Sequence, residues 1–243
     1  GTLEYGNYNL LHTEGSINAP VSDRVAIRAA FSTSVHDGYL SNGSEDEDSK
    51  SARLKALFQP SQNISIVVTG EISKSGGQGF AFAKAFVNQD DEYYPDGTRL
   101  TNKWTSSSGS AGTGMDKENK KLAGRMDWDM GYPGTLSIVP SYSKGSNYSS
   151  STGADPFTGM QSSNTNNGKQ DEKCVETRMV SSAEFPFKWI FGVNAYKSMD
   201  TQNSVSVPES GTTRYGTNWN SQKTKAIYGN VTFPFTDTLR GTL

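Results

Sequence analysis

Few side chains in this sequence are placed to do covalent or metal chemistry, and those few stand apart. His12 and His36 are too far apart in sequence to suggest a metal-binding pair, and Cys174 has no neighbouring histidine. A single cysteine also excludes an intrachain disulfide framework. The run Gly76-Gly77-Gln78-Gly79 has the composition of a phosphate loop. It lacks the Lys-Ser/Thr pair and the helix that would complete one, so a flexible loop is expected. Glu45-Asp46-Glu47-Asp48 carries enough charge to attract Ca²⁺, but the spacing is not that of an EF-hand. A solvated charge run is the simpler expectation. No serine-nucleophile motif is present either. The sequence therefore predicts no enzyme, no metal site and no cofactor.

What remains is recognition. The polar stretch after Ser75 holds Phe80, Phe82, Phe86, Tyr93, Tyr94 and Trp104, and a later polar stretch holds Tyr215 and Trp219. Aromatics in polar loops offer flat, apolar platforms for a ligand. Phe80, Tyr93, Tyr94, Trp104, Tyr215 and Trp219 are the candidate ligand contacts. The competing expectation is that these rings pack on one another to order their loops.

Such platforms need a scaffold, and its pattern repeats along the chain: an alternating segment, a short turn, another alternating segment, then a long polar connection. Short turns fall at Pro20–Asp23, Pro60–Asn63, Gly131–Gly134, Pro186-Phe187 and Pro234–Asp237. Proline ends a ladder for want of an N–H, while Asn, Asp and Gly accept turn dihedrals. Long loops are expected near 36–50, 76–117, 146–173 and 198–222. Between them, Val25, Ile27, Ala29, Phe31 and Val35 alternate with Ala26, Arg28, Ala30, Ser32 and Ser34. Ile64, Ile66, Val68 and Ile72 alternate with Ser65, Thr69, Glu71 and Ser73. Period-2 alternation in every segment, with no helical periodicity, predicts about ten antiparallel strands in an up-and-down meander.

Two features set the apolar face against lipid rather than a protein core. Phe58, Trp128, Tyr132, Phe185, Phe187, Trp189, Phe233 and Phe235 gather beside the short turns, while Tyr5, Tyr8, Tyr39, Tyr142 and Tyr196 sit near loop ends. Two belts around an aliphatic band match the girdles of membrane barrels. The polar face carries Arg28, Arg53, Lys55, Arg125, Asp127, Glu176 and Arg178 at mid-strand, which a wide lumen tolerates and a small soluble barrel does not. His12 falls on that polar face. With 33% hydrophobic residues, 11% aromatics and 25 glycines, the chain of 243 residues fits alternating strands better than a disordered chain. Its net charge of −2 implies no attraction to nucleic acid.

The opening residues add a resemblance. Glu4-Tyr5-Gly6-Asn7-Tyr8-Asn9, then Thr13-Glu14-Gly15-Ser16-Ile17-Asn18-Ala19-Pro20 and Val21-Ser22-Asp23-Arg24-Val25, are similar to the first barrel strands of TonB-dependent receptors. In that family a "YGNY" hairpin precedes an "EGAxNxPLSD" strand and turn. Asp37-Gly38-Tyr39 and Glu47–Arg53 resemble its "DGY" and "DEDSxxxR" elements. The similarity is dense over residues 3–75 and architectural beyond. It implies an all-β, antiparallel transmembrane barrel in a bacterial outer membrane, of which residues 1–243 would form one partial domain, under half of about 22 strands. It further implies TonB-dependent uptake of a scarce nutrient (an iron-siderophore, cobalamin or glycan). The implied partners are the lipid bilayer, a plug domain of the same protein and a TonB-type energy-coupling protein. Rival expectations are a passive porin or adhesin-type barrel, or a soluble β-rich glycan-binding protein. By the same resemblance Gly6-Asn7 should supply a two-residue hairpin and Ser22-Asp23 the next turn.

Overall fold

The computed structural model describes residues 1–40, 43–79, 114–154, 161–208, 211–236 and 239–242. These form one sheet of eleven strands, each hydrogen-bonded to the next in chain order, with every pair antiparallel. The strands are β1 (Thr2–Gly6), β2 (Leu10–Ser22), β3 (Val25–His36), β4 (Glu47–Ser61), β5 (Ile64–Gly77) and β6 (Gly114–Asp129). They continue with β7 (Thr135–Ala154), β8 (Gln161–Val180), β9 (Lys188–Pro208), β10 (Arg214–Pro234) and β11 (Arg240–Thr242). The sheet is open, as a section of a larger barrel is.

Register keeps the two faces apart across the sheet. One row runs Val25, Phe58, Ile66, Met126, Ile138 through successive strands. The row on the opposite face, Arg28, Lys55, Thr69, Ala123, Ser141, Cys174 and Tyr196, is mostly polar. Among the described residues no second sheet covers the apolar face. Among the described residues no hydrophobic side chain is buried, and Phe31, Leu54, Leu122 and Ile227 are 49%, 55%, 55% and 86% exposed. A soluble sandwich needs those side chains sealed between two sheets.

Glycines let aromatics lie flat across neighbouring strands. Phe31 covers Gly15, Phe191 covers Gly229 and Tyr228 covers Gly192; a Cβ on each glycine would stand 2.8, 2.7 and 2.2 Å from the ring. An aromatic laid over a cross-strand glycine fixes register where the glycine alone would leave it loose. Pro140 interrupts one ladder. It pairs with Val175 on the β8 side, whereas the β6–β7 pairs skip from Ala123↔Ser141 to Met126↔Ile138. Its missing N–H accounts for the gap, and Gly124 opposite leaves room for the ring, 3.2 Å from an added Cβ.

Several expectations need correction. The stretches 146–173 and 198–222 are not long loops: β7 and β8 run to Ala154 and from Gln161, and β9 and β10 run to Pro208 and from Arg214. The Pro186-Phe187 turn is longer than expected, because β8 ends at Val180 and β9 begins at Lys188. The first hairpin turns at Tyr8 and Asn9, with φ of 60° and 55°, and not at Gly6-Asn7; Leu10 N–H donates to the Asn7 carbonyl at 3.2 Å. Gly6 is instead the last rung, opposite Leu10. At the next turn Ser22 Oγ accepts from Arg24 N–H at 3.3 Å, the side-chain closure expected there.

Candidate functional site: the polar face and the strand ends

The polar face carries a series of separate hydrogen-bonded clusters. Arg53 pairs with Glu71 at 3.1 Å, Arg125 with Asp127 at 2.7 Å and Arg178 with Glu176 at 3.4 Å. Asp127 also accepts from the nearly buried Ser137 hydroxyl at 2.6 Å. Arg28 forks to Asn18 Oδ1 and Ser16 Oγ at 3.0 and 3.1 Å. Glu172 accepts from Ser143, Gln170 and Tyr196 at 3.1, 3.1 and 2.8 Å, and Glu176 accepts from Tyr228 at 2.6 Å. Such charges hold their positions because each finds a donor or counter-charge on its own or a nearby strand.

A hollow of about 700 Å³ opens on this face, lined by Ser51, Ser73, Lys117, Asn119, Lys121, Ser143, Glu172 and Tyr196, among others. Hydroxyls and amides dominate its lining. Cys174 reaches it too, and its Sγ accepts from Asn194 Nδ2 at 3.4 Å. Lys117 and Lys121 have no ion-pair partner among the described residues. The arrangement offers donors and positive charge to a bulky polar partner. It assembles no nucleophile with a base.

At the loop end, residues quoted from two separate sequence elements meet. Tyr8 packs edge-on against Tyr39, and Tyr39 stacks on His36, both at 4.7 Å between ring centres. Asp37 N–H donates to the Tyr8 carbonyl at 2.7 Å. His36 Nε2 lies 3.7 Å from Glu47 Oε2. His12 is on the polar face, opposite Ser34, with Nε2 4.0 Å from Glu14.

The acidic run is divided among separate tasks. Asp46 Oδ1 accepts the backbone N–H groups of Gln78 and Gly79 at 2.7 and 3.3 Å. Glu47 takes the hydroxyls of Ser34 and Ser49 at 3.0 and 2.7 Å, and Asp48 pairs with Lys50 at 2.9 Å. The glycine run thus closes against the acidic one: Gly77, at φ +144°, has Asp46 Oδ1 2.7 Å from where a Cβ would sit. Asp46→Ala should free both amides at a cost of about 1–2 kcal/mol. Hydrogen exchange at Gln78 and Gly79 should then speed by roughly ten-fold; unchanged exchange would show that the carboxylate holds nothing.

The candidate ligand contacts divide. Phe80, Tyr93, Tyr94 and Trp104 lie outside the described residues. Tyr215 and Trp219 are strand residues of β10, paired with Val205 and Thr201. They share the face of Ile227 and Phe233, pointing away from the polar wall, and are 80% and 65% exposed. The sequence reading put the charged residues of this wall on one face but did not single out the hollow, because its Ser73, Lys121, Ser143 and Glu172 come from four successive strands and meet only through register.

The short-turn belt is continuous over the later strands. Tyr132, Phe185, Phe187 and Phe233 follow one another at ring-centre distances of 5.2, 5.0 and 4.5 Å, and Trp189 joins Phe185 at 5.9 Å and Phe191 at 5.5 Å.

No family model matches the chain, and no curated protein matches it by sequence. Solved structures do. The ferripyoverdine receptor of the outer membrane of Pseudomonas aeruginosa superposes with a TM-score of 0.75 at 10% identity, over 98% of this chain and 35% of that one. The ferric yersiniabactin uptake receptor of Yersinia pestis gives 0.72 at 13% identity, over 95% and 35%. The siderophore receptor PiuA of Acinetobacter baumannii gives 0.66 at 10% identity, over 99% and 44%. The chain therefore spans well under half the length of these receptors. At such identities the likeness is one of fold: the sheet matches a section of the β-barrel of these outer-membrane receptors.

Proposed function

We propose that this chain is barrel wall in an outer-membrane receptor that takes up a ferric siderophore by TonB-dependent transport. The observation that carries the proposal is the sheet itself: apolar and girdled outside, charged and hydrogen-bonded inside, and superposable on siderophore receptors over nearly the whole chain. A charged inner wall suits a lumen filled by water or a plug, which a wide barrel has and a small one lacks. Iron-siderophores are favoured over cobalamin and glycans because the named relatives are receptors for ferripyoverdine, ferric yersiniabactin and a siderophore. Capture by Phe80, Tyr93, Tyr94 and Trp104, a plug of the same protein, a TonB-type partner and outer-membrane residence belong to the same proposal.

Deleting the gene from its host should reduce energised uptake of at least one ⁵⁵Fe-siderophore by about ten-fold or more. Loss of the energy-coupling protein should reduce it equally. Uptake of every ferric siderophore tested at the wild-type rate in the deletion strain would overturn the assignment. Uptake that needs this gene but not the coupling protein would point to a passive channel.

A further inference from the structure

The polar face changes character toward the loop end of β7–β10. Above the row of Glu172, its charged side chains among the described residues of these strands are Asp200 and Arg214. Gln202 stands fourteen residues beyond Lys188 on β9, about 46 Å of strand. A barrel tilt of roughly 40° converts that to about 35 Å, against an apolar band about 25 Å tall. This stretch of inner wall therefore stands clear of the band, at the end where cargo arrives from outside.

Register builds a grid of side-chain amides there. Asn147, Gly168, Gln202 and Asn218 form one cross-strand row, with the Asn147 side chain laid over Gly168. The next row toward the short turns runs Gln170, Asp200, Asn220, and Asn166 stands in the row on the other side. Asn147, Asn166, Gln202, Asn218 and Asn220 make no side-chain hydrogen bond among the described residues. Each amide carries a donor and an acceptor side by side, as a peptide group does.

Charge brackets the grid. On its β6 side Lys117 and Lys121 are free of ion pairs among the described residues, since Glu71 is taken by Arg53 at 3.1 Å and Glu172 by Ser143, Gln170 and Tyr196. On its β9 side Asp200 is exposed and has no ion-pair partner among the described residues. Three strand spacings separate β6 from β9, about 14 Å, which four residues of extended chain span. Above Tyr196 the described residues of this face carry no aromatic ring, because Tyr215 and Trp219 point outward. A sugar would lack a ring to stack on, and a compact anion would use the lysines alone.

We infer that the upper inner wall of β6–β10 binds an extended peptide with opposite charges at its two ends. Its carboxylate lies toward Lys117 and Lys121, its ammonium toward Asp200 and its backbone on Gln202 and Asn218. A free oligopeptide and the peptide arm of a ferric chelate share this chemistry. The inference rests on the proposed function only in that cargo enters from the loop end; it does not require the cargo to carry iron.

The test is calorimetric titration of the full-length receptor carrying this segment, in detergent, with three probes. The first is a blocked pentapeptide with aspartate at one end, lysine at the other and glycine and serine between. The second is the same peptide carrying a ferric trihydroxamate, and the third is the ferric trihydroxamate alone. The second should bind at least about ten-fold more tightly than the third. Asp200→Asn should weaken the pentapeptide about three- to five-fold and leave its acetyl-lysine form unchanged. Gln202→Ala/Asn218→Ala should weaken both forms about ten-fold. Heat-modifiable gel migration checks that each variant is folded. Equal affinity for the first two probes would assign the wall to free peptides, and a tighter second probe to a chelate arm; either supports the site. Binding of neither peptide probe would overturn it. So would a bare trihydroxamate that binds as tightly as its peptide form, or an Asp200→Asn effect that ignores acetylation. Failure of the transport reading shows elsewhere, in ⁵⁵Fe uptake after gene deletion.

Discussion

Val68→Arg should destabilise the folded barrel by about 2–4 kcal/mol, the cost of a guanidinium near the middle of the lipid band. Thr69→Arg, one residue on, should cost under about 1 kcal/mol even with Lys55 alongside. The contrast follows from the pleat. Val68 shares the face of Ile66 and Ile72, with Ala56 and Gly124 as cross-strand neighbours, so the longer side chain meets no steric obstacle. Its penalty is charge in hydrocarbon. Thr69 lies between Lys55 and Ala123 on the polar wall, where charge is already accommodated. Urea titrations of the receptor in bilayers, read by the fraction of heat-modifiable protein, should separate the two. Equal costs would remove the distinction between the faces.

The second large effect concerns one turn. Gly134 takes φ +121° where the β6–β7 connection closes, with its N–H donating to Gly131 and its carbonyl accepting from Met130, at 2.9 and 3.0 Å. A Cβ there would stand 1.9 Å from the Val180 carbonyl oxygen, a backbone atom of β8. Gly134→Ala therefore combines a strained dihedral with a clash that no rotamer relieves, and about 3 kcal/mol or more should be lost. Gly131 provides the comparison: φ is +76°, but nothing lies within 4 Å of an added Cβ. Gly131→Ala should cost only the left-handed strain, about 1–2 kcal/mol. The same urea titration ranks them, and similar midpoints for both variants would show that the turn yields.

How much of this was legible depends on what each strand segment touches. From Val25 to Val35 and from Ile64 to Ile72, one face is apolar and the other polar, so the sequence alternates and the faces are readable. The upper parts of β7–β10 do not alternate. Residues such as Ser149, Ser150, Asn164, Thr165, Asn166 and Asn167 are polar on both faces, which is why that composition suggested loops. They form strands because the ladder runs on without a break, pairing Ser149 with Asn166 and Ser150 with Thr165. Backbone hydrogen bonds continue wherever two strands are held in register, whatever the faces meet. Tyr215 and Trp219 were misplaced for the same reason. The girdle was legible because aromatics beside short turns have one physical use in a membrane barrel. The row of Lys173, Lys197 and Lys223 was not, since these three residues stand opposite one another only through register. The hairpin at Tyr8 and Asn9 shows a finer limit: Asn accepts a positive φ almost as Gly does, so composition alone does not fix which residue turns.

Which face meets hydrocarbon decides most of the rest, and site-directed spin labelling reads it directly. In a Cys174→Ser background, Val68→Cys and Thr69→Cys would each carry a nitroxide on the receptor reconstituted in liposomes. The label at 68 should be relaxed by oxygen dissolved in the bilayer and shielded from a water-soluble nickel chelate, and the label at 69 should show the reverse preference. A label at 68 that the chelate reaches as readily as it reaches 69, or one shielded from both agents, would contradict an apolar face turned to lipid.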